Sequence, residues 1–276
     1  MAIKYIEHQD QLTKLSKKIV RVHPWGFQGA TIEGARGRGK SGFCLHTMRE
    51  VTQYIDGISR DDAWEKILAV GNYKQNTPLI LFSMNDVIDS LELLDSIDMK
   101  NILEWQRENT TPVKTWDDAG MHGGKYKFFV NVRIVDYLKG LMDTMRFVTS
   151  GFLINAPELS GLLGFIREYR DQLIIEIGYR TDGIRAGGEY GRVAIVRKYI
   201  RDRSGRKRLR KDFETKFSCY VDKWAYAEYS RMKAKAIIEN RIALKKIATE
   251  AEKQETDKDP YDVIGVPEEY KDIISS

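Results

Sequence analysis

"TIEGARGRGKSGFCLH", Thr31 to His46, decides the fold. Within it Gly34, Gly39, Lys40 and Ser41 meet the spacing G-x-x-x-x-G-K-[ST] in full. A polyphosphate needs several backbone N–H groups aimed at one point, and residues without a Cβ let a backbone wrap that tightly. Lys40 is placed to reach the β- and γ-phosphates, and the Ser41 hydroxyl to ligate Mg²⁺. The run Gly34, Ala35, Arg36, Gly37, Arg38, Gly39, Lys40, Ser41, Gly42 is therefore the candidate nucleotide cradle. A solvated Arg/Gly loop could spell the same letters, so context has to separate the two. "FQGATIEG" before the motif is β-compatible, and "KSGFCLHTMREVTQYI" after it spaces Phe43, Leu45, His46, Val51, Tyr54 and Ile55 roughly as a helix does. A helix starting there points its dipole and its free N–H groups at the phosphates. The cradle reading wins.

Composition bounds the rest. At 276 residues the chain can bury a sizeable core. Charged residues make up 31% of it, so the surface is unusually ionic. No apolar run approaches the roughly eighteen residues of a membrane span. "MAIKYIEHQDQLTKLSKK" lacks the apolar centre of a signal peptide, which predicts a cytoplasmic protein. Cys44 and Cys219 are too few for a disulfide framework and read as small apolar residues. His8, His23, His46 and His122 show no ligand spacing. The net charge of +5 conceals an asymmetry. Residues 192–216 hold eleven Lys/Arg against three Asp/Glu, whereas residues 250–276 hold nine acids against three bases. A basic block and an acidic tail make up the mild global value.

Five strands are expected, in "FQGATIEG", "TPLILFS", "TPVKTW", "FVTSGFLIN" and "DQLIIEIGYR", mostly alternating with helices. That alternation predicts an α/β fold with a mostly parallel five-stranded sheet covered on both faces. "VAIVRKYIRDRSGRKRLRKDFETKF" alternates apolar and basic residues about "RSGR", which predicts a hairpin turned at Ser204 and Gly205. The expected organisation is an N-terminal extension over 1–20, a nucleotide-binding core over 21–191 and a basic hairpin over 192–221. A helix over 222–253 and a flexible acidic tail over 254–276 complete it.

Hydrolysis needs a second element: a carboxylate at a strand end for the Mg²⁺ shell, and a group to orient or deprotonate water. Asp117 and Asp118 supply both at the end of "VKTW", and Asn155 ends the next strand. An acidic turn with a capping role is the plain alternative for the pair. Together, "GARGRGKS", "WDDAG" and "FVTSGFLIN" resemble the P-loop ATPases of the additional-strand class, which includes the AAA+ and RecA-like groups. The resemblance implies the sheet order 5-1-4-3-2. Lys40 and Ser41 then match the Walker A lysine and hydroxyl, and Asp117 the Walker B metal residue. Asp118 falls where the catalytic acid sits, usually Glu, and Asn155 matches the residue that senses the γ-phosphate. More narrowly, "TWDDAG" and a basic hairpin ahead of "YAEYSRMK" look similar to ATPases of archaeal viruses and plasmids. The expected cofactors are ATP and Mg²⁺.

In such enzymes an arginine from a neighbouring subunit often stabilises the transferring phosphoryl group. Arg167 and Arg170 in "FIREYR" are the candidates, with Arg180 behind them, so a homo-oligomer is expected. On the hairpin, Arg197, Lys198, Arg201, Arg203, Arg206, Lys207, Arg208, Arg210 and Lys211 form a ribbon that could lie against DNA phosphates. The plain alternative is a solvated edge whose charges prevent aggregation. The functional expectation is a Mg²⁺-dependent ATPase acting on DNA in replication, remodelling or packaging of a viral or plasmid genome, with viral or host replication proteins as partners. A nucleotide-gated DNA-binding module with little turnover and a small-molecule kinase are the competing readings.

Overall fold

Strand β1 (Gln28–Glu33) is buried along its centre and runs directly into the glycine-rich loop. The chain re-emerges from that loop as helix α2 (Lys40–Asp56), so the strand–loop–helix order expected around the motif is present. Helix α1 (Lys14–Val22) precedes β1 and is capped by the Thr13 hydroxyl, which accepts from the Ser16 N–H. Helix α3 (Arg60–Leu68) follows α2. The computed structural model describes residues 12–68, 77–117, 119, 140, 143–156, 172–184, 190–202 and 204–256.

The remaining parallel strands are β2 (Ile80–Leu81), β3 (Lys114–Trp116), β4 (Gly151–Asn155) and β5 (Leu173–Ile184). Every residue of β3 and β4 is buried, as expected of strands covered on both faces. Trp116, Phe152 and Ile154 pack with Leu81, Val87 and Met145 into one apolar cluster that carries the strand ends. Between β2 and β3 the chain forms three short pieces: α4 (Met84–Asp89), a 3₁₀ turn (Glu92–Ser96) and α5 (Ile102–Asn109). Ser83 and Asp86 start α4 reciprocally, each side chain accepting from the other's backbone N–H.

The sheet differs from expectation in size and sense. It has seven strands in the order β2-β3-β4-β1-β5-β6-β7 and is mixed, not five-stranded. The block β5-β1-β4-β3-β2 is parallel throughout. The basic hairpin does not stand apart: β6 (Tyr190–Arg201) pairs antiparallel with β5, and β7 (Lys207–Phe217) with β6. The physical reason is the exposed edge of β5, whose unpaired N–H and C=O groups need a partner strand. Helix α6 (Lys223–Thr256) closes the described chain. Met1–Tyr229 form one compact unit and Ser230–Ser276 a second.

Candidate nucleotide site

The register of three neighbouring strands builds the site. Ile32 of β1 pairs with Asn155 of β4, and Trp116 of β3 pairs with Ile154. Asp117 and Asn155 therefore stand level at the carboxyl edge of the sheet, beside the loop that leaves β1. In open α/β sheets this edge is where ligands bind.

Two glycines of the loop are required by both conformation and space. Gly39 has φ of +95°, and a Cβ on it would lie 2.1 Å from the Cys219 Sγ. Gly34 has φ of +142°, and a Cβ there would lie 2.8 Å from the Ile177 carbonyl oxygen. Any other residue would strain the turn at both positions, collide with backbone at Gly34 and displace the Cys219 side chain at Gly39. Gly39 is also the N-cap of α2; no side chain caps this helix end, and no acid sits in its first turn. The leading N–H groups of a helix have no partner within the helix. An uncapped, acid-free helix start attracts an anion.

Lys40 is buried, and its Nζ donates to the loop carbonyls of Gly34 at 2.6 Å and Ala35 at 3.3 Å. A phosphate oxygen is a stronger acceptor than a carbonyl, and the side chain already lies along the loop it would bridge. Ser41 Oγ donates to Asp117 Oδ1 at 3.0 Å. Asn155 Nδ2 donates to Ser41 Oγ at 3.1 Å and also to Asp117 Oδ1. Asp117 and Asn155 are almost wholly buried, at 2% and 1% exposure, so these are interior contacts in which polar bonds are strong. The Asp117 charge also reaches Cys44. Burial first, and Asp117 second, push that thiol up to about 12, which keeps it protonated and inert.

A Mg²⁺ ion with its waters fits these donors. Hydroxyl and carboxylate oxygens are hard ligands, and the cation is commonly held by one or two such groups plus substrate phosphates. Asn155 Oδ1 is buried with no hydrogen-bond partner among the described residues, an acceptor that a metal-bound water would satisfy.

The structure thus brings together Lys40, Ser41, Asp117 and Asn155 from separate parts of the chain. Asp118, Arg167, Arg170 and Arg203 lie outside the described residues, as does the tail from 257 onward. Two features beside the loop carry no obvious sequence signal. The guanidinium groups of Arg38 and Arg192 each lie 4.2 Å from the centre of the Tyr179 ring, tying the loop to β5 and β6. The Tyr229 hydroxyl donates to Asp117 Oδ2 at 2.5 Å. Tyr229 could have been suspected only as the third member of a stripe with Val221 and Ala225, all three buried, which reads as helix packing.

On the hairpin, the turn falls where expected, and Asp202 builds it. Its Oδ1 accepts from Ser204 N–H, Ser204 Oγ and Arg206 N–H. Those bonds, the Ser204 hydroxyl's first, hold the Asp202 carboxyl below its usual range. Four of the ribbon cations are engaged by carboxylates: Arg197 by Glu176 at 2.6 Å, Lys198 by Asp212 at 3.0 Å, Arg208 by Asp202 at 2.9 Å and Lys211 by Glu214 at 2.7 Å. Arg201, Arg206 and Arg210 are exposed and make no ion pair among the described residues. Lys207 is exposed as well.

No protein-family model matches the chain. The uncharacterized protein B-251 of Sulfolobus spindle-shape virus 1 is 27% identical over 223 residues, spanning 78% of this chain and 77% of its own. Among solved structures, the flagellar accessory protein FlaH from Methanocaldococcus jannaschii aligns over 67% of this chain and 83% of its own, at 14% identity and a TM-score of 0.29. A KaiC-like protein from Pyrococcus horikoshii aligns over the same shares at 12% identity and a TM-score of 0.31. No helix among the described residues is long and apolar enough to cross a membrane.

Proposed function

We propose that this chain is a Mg²⁺-dependent ATPase of the additional-strand P-loop class that acts on DNA. The observation that carries the nucleotide part is the meeting of Lys40, Ser41, Asp117 and Asn155 at the carboxyl ends of β1, β3 and β4. The parallel block β5-β1-β4-β3-β2 has the strand order which that class implies.

Each residue then has a role. Loop and helix N–H groups from Gly34 to Gly42 cradle the β- and γ-phosphates, and Lys40 neutralises them. Ser41 and Asp117 hold the cation and its water shell, and Asn155 orients the γ-phosphate side. Bound Mg²⁺ supplies charge stabilisation to the transferring phosphoryl group. Asp118 is the residue assigned to the attacking water, and Arg167 or Arg170 the arginine offered to a neighbouring subunit. The hairpin supplies phosphate-backbone contacts through Arg201, Arg206, Lys207 and Arg210, which position DNA without reading sequence. Similarity to a viral protein supports a role on a mobile element's genome.

Calorimetry with MgATP, followed by turnover with and without single- and double-stranded DNA, tests this reading. Heat on titration and DNA-stimulated turnover are expected, and loss of both on Lys40→Ala. Nucleotide-dependent DNA affinity with negligible turnover would select the gated module instead, a reading that Asp rather than Glu at 118 favours. No heat with any magnesium nucleotide would remove both.

A further inference from the structure

The connection from β7 to α6 passes beside the candidate site and is pinned there. Cys219 Sγ sits against Gly39, so this connection covers the end of the phosphate loop. Asp222 is then clamped to α3: its carboxylate takes Arg60 Nε and Nη2, each at 3.0 Å, and the Trp64 indole N–H at 2.6 Å. A bidentate guanidinium plus an indole N–H leaves a carboxylate little freedom. Seven residues later, about two turns into α6, comes Tyr229. Its ring is buried against Phe82, with centroids 6.1 Å apart, and its hydroxyl donates to Asp117 Oδ2.

Asp117 is thereby held at both oxygens. Ser41 and Asn155 donate to Oδ1, and Tyr229 donates to Oδ2. A carboxylate gripped at one oxygen can still rotate about its Cβ–Cγ bond; gripped at both, it cannot. We infer that Tyr229 is a positioning residue for the metal-holding carboxylate, fixing Asp117 so that Oδ1 faces Ser41 and the cation's water shell. Tyr229 touches neither nucleotide nor metal in this scheme and acts through Asp117. The inference rests on the nucleotide reading of the cradle.

The test uses the full chain with Tyr229→Phe, which keeps the ring and removes the hydroxyl. A fluorescent N-methylanthraniloyl ATP is bound at fixed concentration while Mg²⁺ is titrated, and its affinity is measured separately in excess chelator. Loss of a hydrogen bond to a metal-holding group typically weakens metal binding by about 10–100-fold. The half-saturating Mg²⁺ concentration should rise by about tenfold or more, with chelator affinity unchanged within about twofold. Tyr226→Phe, an exposed phenol on the same helix, should leave both values unchanged. A half-saturating Mg²⁺ within about twofold of wild type in Tyr229→Phe overturns the inference. So does an equal fall of affinity in chelator, or an equal shift in Tyr226→Phe, because either assigns Tyr229 to packing alone. Wild-type protein that binds no nucleotide, or binds it without regard to Mg²⁺, removes the cradle reading itself; this outcome is read before any variant is compared.

Discussion

The glycine-rich loop with its neighbours and the hairpin ribbon are both rich in charge, and the fold treats that charge in opposite ways. Around Ser41 the polar groups are buried, and they meet one another in a connected set. On the ribbon the described cations other than the half-buried Arg197 are exposed, and the paired ones meet a carboxylate of β5, β7 or the turn. Burial makes the first set strong and mutually dependent, since removing one partner leaves a desolvated group unpaired. Solvent and salt make the second set weak individually and additive. A single change should therefore disable the cradle, whereas the ribbon should fail by degrees.

Lys40→Ala is expected to show the largest effect, lowering turnover by about 10²–10³-fold, the scale for losing one transition-state donor. DNA affinity without nucleotide should be kept. Kinetics beside a DNA-binding titration checks both halves, and a parallel fall in DNA affinity would break the contrast between the regions.

Next comes the ribbon. Replacing Arg201, Arg206 and Arg210 by Ala together should weaken DNA binding by about 10–100-fold at low salt. The salt dependence should flatten by about 0.9 in log–log slope for each phosphate no longer neutralised. MgATP affinity should stay unchanged. Single replacements should each give a fraction of the effect, and one that abolished binding alone would show the ribbon to be as interdependent as the cradle.

A smaller effect concerns Lys114, buried in β3 with its Nζ donating to the Pro78 carbonyl oxygen at 2.7 Å. Burial pushes its pKa down to about 7 from 10.5. The folded state thus disfavours the charged form. The burial penalty is fully present below pH 7, shrinks by about 1.4 kcal/mol per pH unit as pH rises from there, and is gone above the unfolded value. Lys114→Met should stabilise the protein by on the order of 1–2 kcal/mol at pH 7, net of the missing hydrogen bond. By pH 9 that advantage should be gone or reversed, as denaturant melts at the two pH values would show. The smallest effect is expected from Arg208→Ala, whose exposed and solvent-screened pair with Asp202 should leave the denaturant midpoint close to that of wild type.

Legibility followed the distance between partners in the chain. The strand, loop and helix around Gly34–Ser41 were readable because glycine spacing and helical periodicity are local properties. Asp117 and Asn155 were readable as polar ends of apolar strands, and parallel pairing did the rest. The ribbon's turn was readable, but not its attachment: alternating apolar and basic residues look the same in a free hairpin and in strands six and seven of a sheet. Nor could the pairing of Arg197 with Glu176 be foreseen, since Glu176 lies on β5. Tyr229 was hidden altogether, being 112 residues from the carboxylate it holds and spaced like any helix-packing residue.

By itself, then, the amino-acid order determined a glycine-rich loop between a strand and a helix, a set of apolar strands ending in polar residues, and a cationic hairpin. Each is encoded by neighbours within a few turns or one strand length. Only the tertiary structure decided that the hairpin extends the sheet, that Asp222 is clamped by α3, and that a tyrosine from the following helix meets Asp117. Those choices depend on which surfaces remain unpaired once the parallel block has formed, a property of the assembled sheet that no single segment carries.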